Sequence, residues 1–348
     1  EMEAVEYLLA HGMSDGLPVI PPTPERVERL LAAVDLPGEA ILGTIPERRR
    51  VITAEKAAIN AVMAGCTPEL MPVVVAALQA VCDPRFAVHG PTATTAGTAI
   101  LIIINGPIIQ ELGFNAGANL FGPGNRANAT VGRAVSLTLR NAAGWRVEEF
   151  DRSCFGHPGK FTYCIAENEA ASPWTPFHVQ RGFDPTDSTV TVFAGEAPNQ
   201  VRNDAGRTAE AILSTLAARM AAPGNRILGA ETEVVVLLGQ EHLNIIHRDG
   251  WDKAAVQEFL YQHAVTTVAT LKWAGVDPDP LEPGDEERLV RAVQSPDDIF
   301  VLAAGGPAGG WSCYIPGWTG KRSCRAVTVG IPGYARPAVC ELPTVPGR

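Results

Sequence analysis

The chain lacks a long apolar run and a regular pattern of cysteines. None of its apolar stretches reaches the roughly 18 residues that a transmembrane helix requires, so we expect no membrane span. Seven cysteines without regular spacing argue against a disulfide framework. No signal peptide opens the sequence. These absences together predict a cytoplasmic protein.

Basic residues are also scarce. The chain has 28 Lys and Arg against 38 Asp and Glu, and its formal net charge is −10. Nucleic-acid binding needs clustered cations to contact phosphates, whereas the one dense basic run, at 48–50, is typical of a solvated surface. We therefore expect neither a nucleic-acid partner nor a membrane partner.

Apolar runs that end at glycine-rich or polar turns are what the sequence has in quantity. Runs that are apolar on both faces predict strands buried on both sides, which is typical of parallel sheets. The fold class predicted is therefore α/β, with largely parallel sheet or sheets flanked by helices. Ligands bind beyond the carboxyl ends of such strands, so we expect the turns to gather at one edge. The four runs with their turns are 101–117, 190–206, 234–250 and 299–317.

Three regions follow from these patterns. We predict an N-terminal arm and helix at 1–35, a first α/β domain at 36–189 and a second α/β domain at 190–348. Residues 145–189 have little periodicity and form an irregular excursion, and such a segment is usually either functional or a connection between domains. Helices are predicted at 3–12, 24–34, 54–66, 68–82, 205–222 and 252–273.

A glycine-rich loop at 121–134 is the first candidate binding segment. Glycines permit a tight turn, and the helix that follows favours an anion at its amino end. An arginine there can grip a carboxylate or phosphate. A capped helix start without a ligand explains the loop equally well. The loop matches no nucleotide-cofactor fingerprint. The candidate substrate-binding residues are Gly122, Gly124, Asn125, Arg126 and Asn128.

A second glycine-rich loop follows the last predicted strand. Its glycine density allows main-chain amides to approach a ligand or to stabilise a negative charge. We expect Gly306, Gly309 and Gly310 to contact the substrate. Ser312 and Cys313 are candidate nucleophiles there, provided that a base lies within hydrogen-bond reach. Structural turn roles remain the alternative for both residues.

Polar residues also follow two other predicted strands. Glu241 and His242 come directly after the strand at 232–238, and they fit an acid–base pair or metal ligands. The spacing is not that of HExxH, and His242 is the better candidate for a general base. Asn105 stands at the carboxyl end of the first strong strand, where we expect it to orient the substrate.

A divalent metal is the one cofactor that the sequence suggests. Cys154 and His157 are three residues apart, and His242 is a candidate third ligand. Structural zinc sites normally show two close pairs of ligands, and this chain shows one. Loop and core roles therefore stay open for these residues.

Six segments form a recognisable set: DGLPVIPPT (15–23), AVMAGCTPE (61–69), NGP (105–107), GPGNRANATVGRA (122–134), AENEAASPW (166–174) and GGPAGGWS (305–312). Together they resemble a large, little-characterised bacterial family associated with short proteins that bear a UGSC or TGSC motif, where U is selenocysteine. The resemblance implies a small partner subunit with a reactive selenol or thiol, while this chain binds substrate. This chain has no CGSC or TGSC segment, and its nearest analogue is 311–313.

The leading functional prediction is an enzyme acting on a small anionic organic substrate. A lyase or hydrolase is the most economical class, with histidine or cysteine acid–base chemistry or metal assistance at the glycine-rich loops. One alternative is the substrate-binding subunit of a thiol- or selenol-dependent heteromeric reductase or lyase. Another is a non-catalytic small-molecule binding protein. A homo-oligomer fits all three.

Overall fold

The computed structural model describes residues 2–320 and 324–333. Within these ranges the chain forms eleven α-helices and twelve β-strands. The helices are α1 (Met2–Ala10), α2 (Pro24–Ala32), α3 (Ala54–Ala64), α4 (Met71–Val81), α5 (Ile108–Glu111), α6 (Arg126–Ala143), α7 (Phe177–Gln180), α8 (Ala209–Met220), α9 (Gln240–Arg248), α10 (Lys253–His263) and α11 (Val268–Trp273). The strands are β1 (Ile41–Ile45), β2 (Arg50–Thr53), β3 (Ala99–Asn105), β4 (Cys164–Ala166), β5 (Thr189–Gly195), β6 (Asn199–Arg202), β7 (Val234–Leu238), β8 (Val265–Thr267), β9 (Leu289–Arg291), β10 (Ile299–Ala303), β11 (Trp311–Pro316) and β12 (Val327–Gly330). None of the described helices has both the length and the apolarity that a membrane crossing needs.

Two four-stranded sheets face one another at the centre of the molecule. Their strand orders are β12-β5-β3-β4 and β10-β7-β11-β6. Leu101 and Ile103 from the first sheet share one apolar cluster with Leu237 and Leu302 from the second. The outer face of the first sheet packs on α3, α4 and α6, and that of the second packs on α8, α9 and α10. The architecture is therefore four layers, in the order helix, sheet, sheet, helix.

The α/β class is confirmed, but the prediction of a largely parallel sheet is wrong. Only β3 with β4 and β7 with β10 run parallel among the described strands, and the other pairs in both sheets are antiparallel. The apolar runs reflect burial on both faces, which here comes from a second sheet on one side and helices on the other. Burial of this kind does not depend on strand direction.

The two sheets repeat one arrangement of strands. Each has a parallel pair followed by two antiparallel neighbours, so that β3, β4 and β5 correspond to β7, β10 and β11. The first half of the chain (β3 to β6) and the second half (β7 to β12) exchange edge strands. β6 of the first half pairs with β11, and β12 of the second half pairs with β5. Reciprocal hydrogen bonds join the sheets, from Trp318 N to Ala194 O (2.8 Å) and from Glu196 N to Pro316 O (2.9 Å). The predicted division at residue 190 falls within β5.

Local sequence signals account for most element ends. Thr23 caps α2 with Pro24 in its first turn, and Gly144 ends α6 in the left-handed conformation (φ 72°). The single helix predicted at 252–273 is wrong, because the β-branched run Val265–Thr267 forms β8 and divides α10 from α11. The irregular excursion at 145–189 contains β4, a three-residue strand that pairs with β3.

Candidate functional site

The carboxyl ends of both parallel pairs meet at one edge of the molecule. Asn168 N, just after β4, donates to Ala303 O at the end of β10 (2.8 Å). Gly305 N donates to Ala116 O (3.0 Å), so the loop after β10 also contacts the segment that follows β3. The turn after β5 lies at the opposite edge, because β5 runs antiparallel to β3 and Gly195 pairs with the start of that strand.

Two cavities open along this edge. The larger has a volume of about 980 Å³ and is named here the Glu169 cavity. The smaller, of about 560 Å³, lies beside the loop after β10 and is named the glycine-loop cavity. Residues 118 and 119 line both, so the two cavities are neighbours. The polar side chains that line the Glu169 cavity are Gln110, Glu111, Asn115, Asn119, Asn125, Glu167, Asn168 and Glu169.

A buried ion pair lies behind the Glu169 cavity. Glu167 follows β4 and is fully buried, and Lys253 of α10 is 3% exposed. Lys253 Nζ donates to Glu167 Oε1 (2.9 Å), while Glu167 Oε2 accepts from Asn105 Nδ2 (2.6 Å) and Phe177 N (2.7 Å). A buried ion pair keeps its charges only where hydrogen bonds replace the lost water. Both carboxylate oxygens of Glu167 accept such hydrogen bonds.

Glu169 presents a carboxylate with one bound and one open oxygen. Its Oε1 accepts from Asn105 Nδ2 and Gly106 N, both at 2.8 Å, and no described residue donates to Oε2. Burial raises the pKa of Glu169, but the nearby His178 ring and the hydrogen bonds from Asn105 and Gly106 outweigh that effect and hold the pKa below its usual value. Glu169 is therefore ionised at neutral pH and lines the cavity.

Gly106 makes the second of these hydrogen bonds possible. Its φ is 90°, and a Cβ at this position would clash with the carbonyl oxygen of Asp187. Glycine therefore lets the chain turn directly after β3, which directs the amide of residue 106 at Glu169. The Asn-Gly pair at the end of this strand thus supplies two donors to one carboxylate oxygen.

Two neighbouring side chains carry polar atoms that remain unsatisfied. Asn105 Oδ1 and both ring nitrogens of His178 are buried without a hydrogen-bond partner in the described chain. His178 is fully buried, and its Nδ1 lies 3.5 Å from Glu169 Oε1, a contact longer than an ordinary hydrogen bond. Buried polar groups are nearly always paired in stable proteins, and exceptions concentrate at functional sites.

The predicted binding residues are divided between several places. Asn105 belongs to the buried network, and Gly124 and Asn125 line the Glu169 cavity. Gly310 lines neither of the two cavities, and its carbonyl accepts a hydrogen bond from Asn203 N (2.8 Å). The predicted residues that line the glycine-loop cavity are Gly122, Gly306, Gly309, Ser312 and Cys313.

Arg126, the predicted anion-binding residue at the start of α6, does not line the Glu169 cavity. Arg126 donates through Nε and Nη2 to Gly65 O (3.2 and 2.9 Å), and it lines a small pocket with Arg26 and Arg29 rather than the Glu169 cavity. The side chains of Asn125 and Asn128 bond backbone groups, among them Gly113 O and Asn115 N. The backbone of this loop forms few strand or helix hydrogen bonds. The two asparagine side chains replace them and hold the loop in place.

The structure brings Ser312 and His242 together. His242 Nδ1 lies 2.7 Å from Ser312 Oγ, and Nε2 lies 3.1 Å from Asn203 O. A backbone carbonyl only accepts, so Nε2 carries the proton and Nδ1 accepts from the hydroxyl. Burial lowers the pKa of His242, against opposing contributions that include the charge of adjacent Glu241, so the ring is neutral at pH 7.

Ser312 and Cys313 point in opposite directions. Side chains alternate along a strand, and Cys313 belongs to the cluster between the sheets while Tyr314 belongs to the cluster under the helices. Ser312 therefore shares the helix side with His242. Burial raises the pKa of Cys313 to about 12, so its sulfur remains a thiol.

The predicted metal site is not assembled. Among the residues that the structure describes, no group of three or more His, Cys, Asp or Glu side chains is placed to hold a metal ion. His157 Nδ1 accepts from Gly159 N, His242 contacts Ser312, and Cys154 is exposed. The short Cys154 to His157 spacing instead belongs to a loop turn.

Sequence reasoning did not assign the ionisable members of the network to the site. Glu167, Glu169 and His178 lie within the excursion at 145–189, and Lys253 opens α10. The signal that could have found the two glutamates is Glu-Asn-Glu directly after Cys-Ile-Ala. If Cys-Ile-Ala is recognised as a strand that pairs with β3, the two glutamates are expected at the carboxyl end of the sheet.

No model of a known protein family matches the chain. Neither the curated proteins nor the solved structures provide a match. The function is therefore inferred from the residues of the site alone. The resemblance to the bacterial group associated with UGSC and TGSC proteins, and the partner subunit that it implies, stay predictions.

Proposed function

We propose that the chain is an enzyme in which Glu169 removes a proton from a small polar organic substrate bound in the Glu169 cavity. The observation that carries this proposal is the asymmetric binding of the Glu169 carboxylate. Its Oε1 is fixed by Asn105 and Gly106, and its Oε2 is left open beside the cavity. A general base must be ionised and must reach its proton. In a lyase such a base removes a proton from a carbon atom of the substrate, and in a hydrolase it removes a proton from the attacking water.

The charge of the cavity favours a substrate that donates hydrogen bonds. Its polar lining consists of amide and carboxylate side chains, and none of the described lining residues is Lys or Arg. A carboxylate or phosphate would face Glu111 and Glu169 there without a compensating cation. Hydroxyl or amino groups instead match the acceptors that line the wall. The proposal therefore replaces the expected anion with a neutral or amino-bearing molecule.

The buried ion pair supports the base, and both of its side chains are closed off from solvent. Asn105 Nδ2 donates to both Glu167 Oε2 and Glu169 Oε1, so the orientation of Glu167 also fixes that of Asn105. Lys253 neutralises Glu167 and reduces its repulsion of Glu169. Glu167 and Lys253 are therefore assigned as positioning residues. Glu169 is assigned as the catalytic residue.

The test begins with a panel of polyols, sugars, amino acids and amino alcohols, screened by thermal shift on the full chain. Turnover of each stabilising compound is then followed by NMR. We expect Glu169→Gln to lower kcat/KM by roughly 10²–10⁴-fold, which is the usual contribution of a general base. Glu149→Gln is the matched control, since the Glu149 side chain is 59% exposed and forms only a 4.0 Å ion pair with Arg146.

Two results would contradict the proposal. One is turnover that survives in Glu169→Gln. The other is a chain that binds members of the panel and turns over none of them, which would favour the substrate-binding subunit or the non-catalytic binding protein. A panel in which no compound stabilises the chain also counts against the proposed substrate class.

The Ser312–His242 pair favours a second candidate function, that of a serine hydrolase. A serine, a neutral histidine and a group that orients the histidine stand in the order that activates a nucleophile. Both side chains are nearly fully buried, at 4% and 2% exposure. Labelling of Ser312 by a fluorophosphonate, detected by mass spectrometry and lost in His242→Gln, would support this function. An unlabelled Ser312 would exclude it.

A further inference from the structure

A third cavity lies at the opposite edge of the first sheet. It has a volume of about 520 Å³, lies between α6 and the segment 145–161, and is named here the Trp145 cavity. Cys154 N donates to Thr95 O (3.0 Å), which ties that segment to the chain just before β3. A strand of seven residues spans roughly 20 Å. The Trp145 cavity is therefore separate from Glu169, which lies at the other end of β3.

One cation in this cavity has no counter-charge in the described protein. The two carboxylates that line the cavity already have partners: Asp15 accepts from Arg133 Nε and Nη2 (both 2.8 Å), and Asp151 accepts from Lys160 Nζ (2.6 Å). Arg140 lines the cavity, and no ion pair or hydrogen bond joins it to another described side chain. A guanidinium in a partly buried concave site favours an anion from outside the protein.

A buried donor lies beside this arginine. Trp145 also lines the cavity, is 7% exposed, and has an indole Nε1–H that is buried without an acceptor among the described residues. The Nε of Arg140 is in the same condition. Buried N–H groups nearly always have an acceptor. Arg140 and Trp145 line the same cavity, and each carries a buried N–H without an acceptor among the described residues.

Three apolar side chains that line the cavity are exposed to solvent. Phe155 is 97% exposed, Val147 is 71% exposed and Phe161 is 43% exposed. Leu137 of α6 also lines the cavity and is fully buried. Clustered exposed apolar side chains beside a few fixed polar groups are typical of sites for small organic ligands.

We propose that the Trp145 cavity binds a small aromatic carboxylate. The carboxylate accepts hydrogen bonds from the Arg140 guanidinium and from the Trp145 indole N–H. The aromatic ring packs against Phe155 and Phe161. This site is independent of the proposed chemistry at Glu169, because it shares no lining residue with the Glu169 cavity.

The first experiment is calorimetric titration of the full chain with phenylacetate, phenylacetamide and acetate. We expect phenylacetate to bind with a Kd below about 1 mM. Phenylacetamide lacks the charge and acetate lacks the ring, so each should bind at least about tenfold more weakly. Absence of phenylacetate binding at about 10 mM, or equal binding of phenylacetamide, overturns the proposal.

Variants then locate the site. We expect Arg140→Gln to weaken phenylacetate binding by about tenfold or more, corresponding to the loss of one charge-assisted contact. Arg152→Gln is the matched control, because Arg152 is an exposed arginine of the same segment that does not line the cavity. Phe155→Ala removes a side chain that is almost wholly exposed, so it should weaken binding without affecting folding.

A spectroscopic readout tests the role of the buried donor. The indole N–H resonance of Trp145, identified by its loss in Trp145→Phe, should shift on addition of phenylacetate and not on addition of phenylacetamide. Equal loss of affinity in Arg140→Gln and Arg152→Gln would overturn the assignment. An unmoved Trp145 resonance during saturable binding would overturn it as well.

Discussion

Asn105 joins two carboxylates that would otherwise repel one another. A single amide nitrogen donates to Glu167 at 2.6 Å and to Glu169 at 2.8 Å. The Lys253 ammonium lies on the far side of Glu167 and compensates one of the two negative charges. At the scale of residues, hydrogen bonds therefore connect Lys253 to Glu167, Glu167 to Asn105 and Asn105 to Glu169 in that order. The second oxygen of Glu169 stays open.

Removal of Lys253 should be more harmful than removal of the whole ion pair. Lys253→Met leaves the Glu167 charge buried without a cation, and we expect a loss of about 3–5 kcal/mol in the free energy of unfolding. The double variant Lys253→Met with Glu167→Gln removes the charge as well and should recover much of that loss. Urea unfolding of both variants and the native chain measures the difference. Equal destabilisation of the single and double variants would show that the ion pair is not the source of the cost.

Some site residues are predictable from sequence, and others depend on strand pairing. Asn105 is identifiable because it ends a conspicuous apolar run, and His242 and Ser312 are identifiable because both lie in polar or glycine-rich segments that follow predicted strands. The partner of Arg126 is not predictable, because a guanidinium at a helix start has several carbonyl groups within reach, and here it donates to Gly65 O. Lys253 has no local signal, since only the packing of α10 brings it to Glu167.

At the scale of elements, length decides what the sequence can predict. The long apolar strands β3, β5, β7 and β10 and the helices at 24–34 and 54–82 are found where they are expected. The strand β4 has three residues, too few for periodicity to identify. Strand direction is not encoded in apolar runs either, because it depends on the connections between strands.

The junction between β7 and β12 contains a titratable group with a strongly shifted pKa. Glu233 precedes β7, and its Oε2 accepts from Ala326 N (2.6 Å), just before β12 in the other sheet. Burial raises the pKa of Glu233 from 4.5 to about 7, against the opposing effects of this hydrogen bond and of Arg325. The edge strand that one half supplies to the other is thus joined to an acid that titrates near neutrality.

This junction should weaken as the pH rises. The pKa of Glu233 is raised on folding, so its stabilising effect is complete below about pH 4.5 and is lost as the pH passes through about 7. Relative to Glu233→Gln, the native chain should lose up to about 3 kcal/mol of unfolding free energy between pH 5 and pH 8. Chemical unfolding of both proteins at the two pH values checks this. Parallel pH profiles for the two proteins would contradict it.

At the scale of the whole molecule, the candidate site lies where the two halves meet. Glu167 comes from the first half and Lys253 from the second, and the Asn168–Ala303 backbone bond also crosses between the two sheets. The exchanged strands β6 and β12 hold the sheets in one relative position. The site is therefore complete only when both halves are folded and joined.

The overall arrangement could be predicted only in part from the sequence. The recurrence of strand, glycine and polar turn is visible in the printed chain, and three of those turns lie at one edge in the structure. The facing of two sheets is not visible, because a strand covered by another sheet and one covered by helices have the same apolar composition. The exchange of edge strands is likewise hidden, since β6 and β12 are only four residues long.

The most direct test of the central claim asks whether the intact chain catalyses the exchange of a substrate hydrogen for deuterium. A compound that stabilises the chain is incubated in D₂O with the native protein, Glu169→Gln or Glu149→Gln, and proton NMR follows the loss of its carbon-bound hydrogen or its conversion to product. We expect exchange or conversion with the native chain and with Glu149→Gln, and at least about a hundredfold slower reaction with Glu169→Gln. Equal rates for Glu169→Gln and the native chain would contradict the assignment of Glu169 as the base.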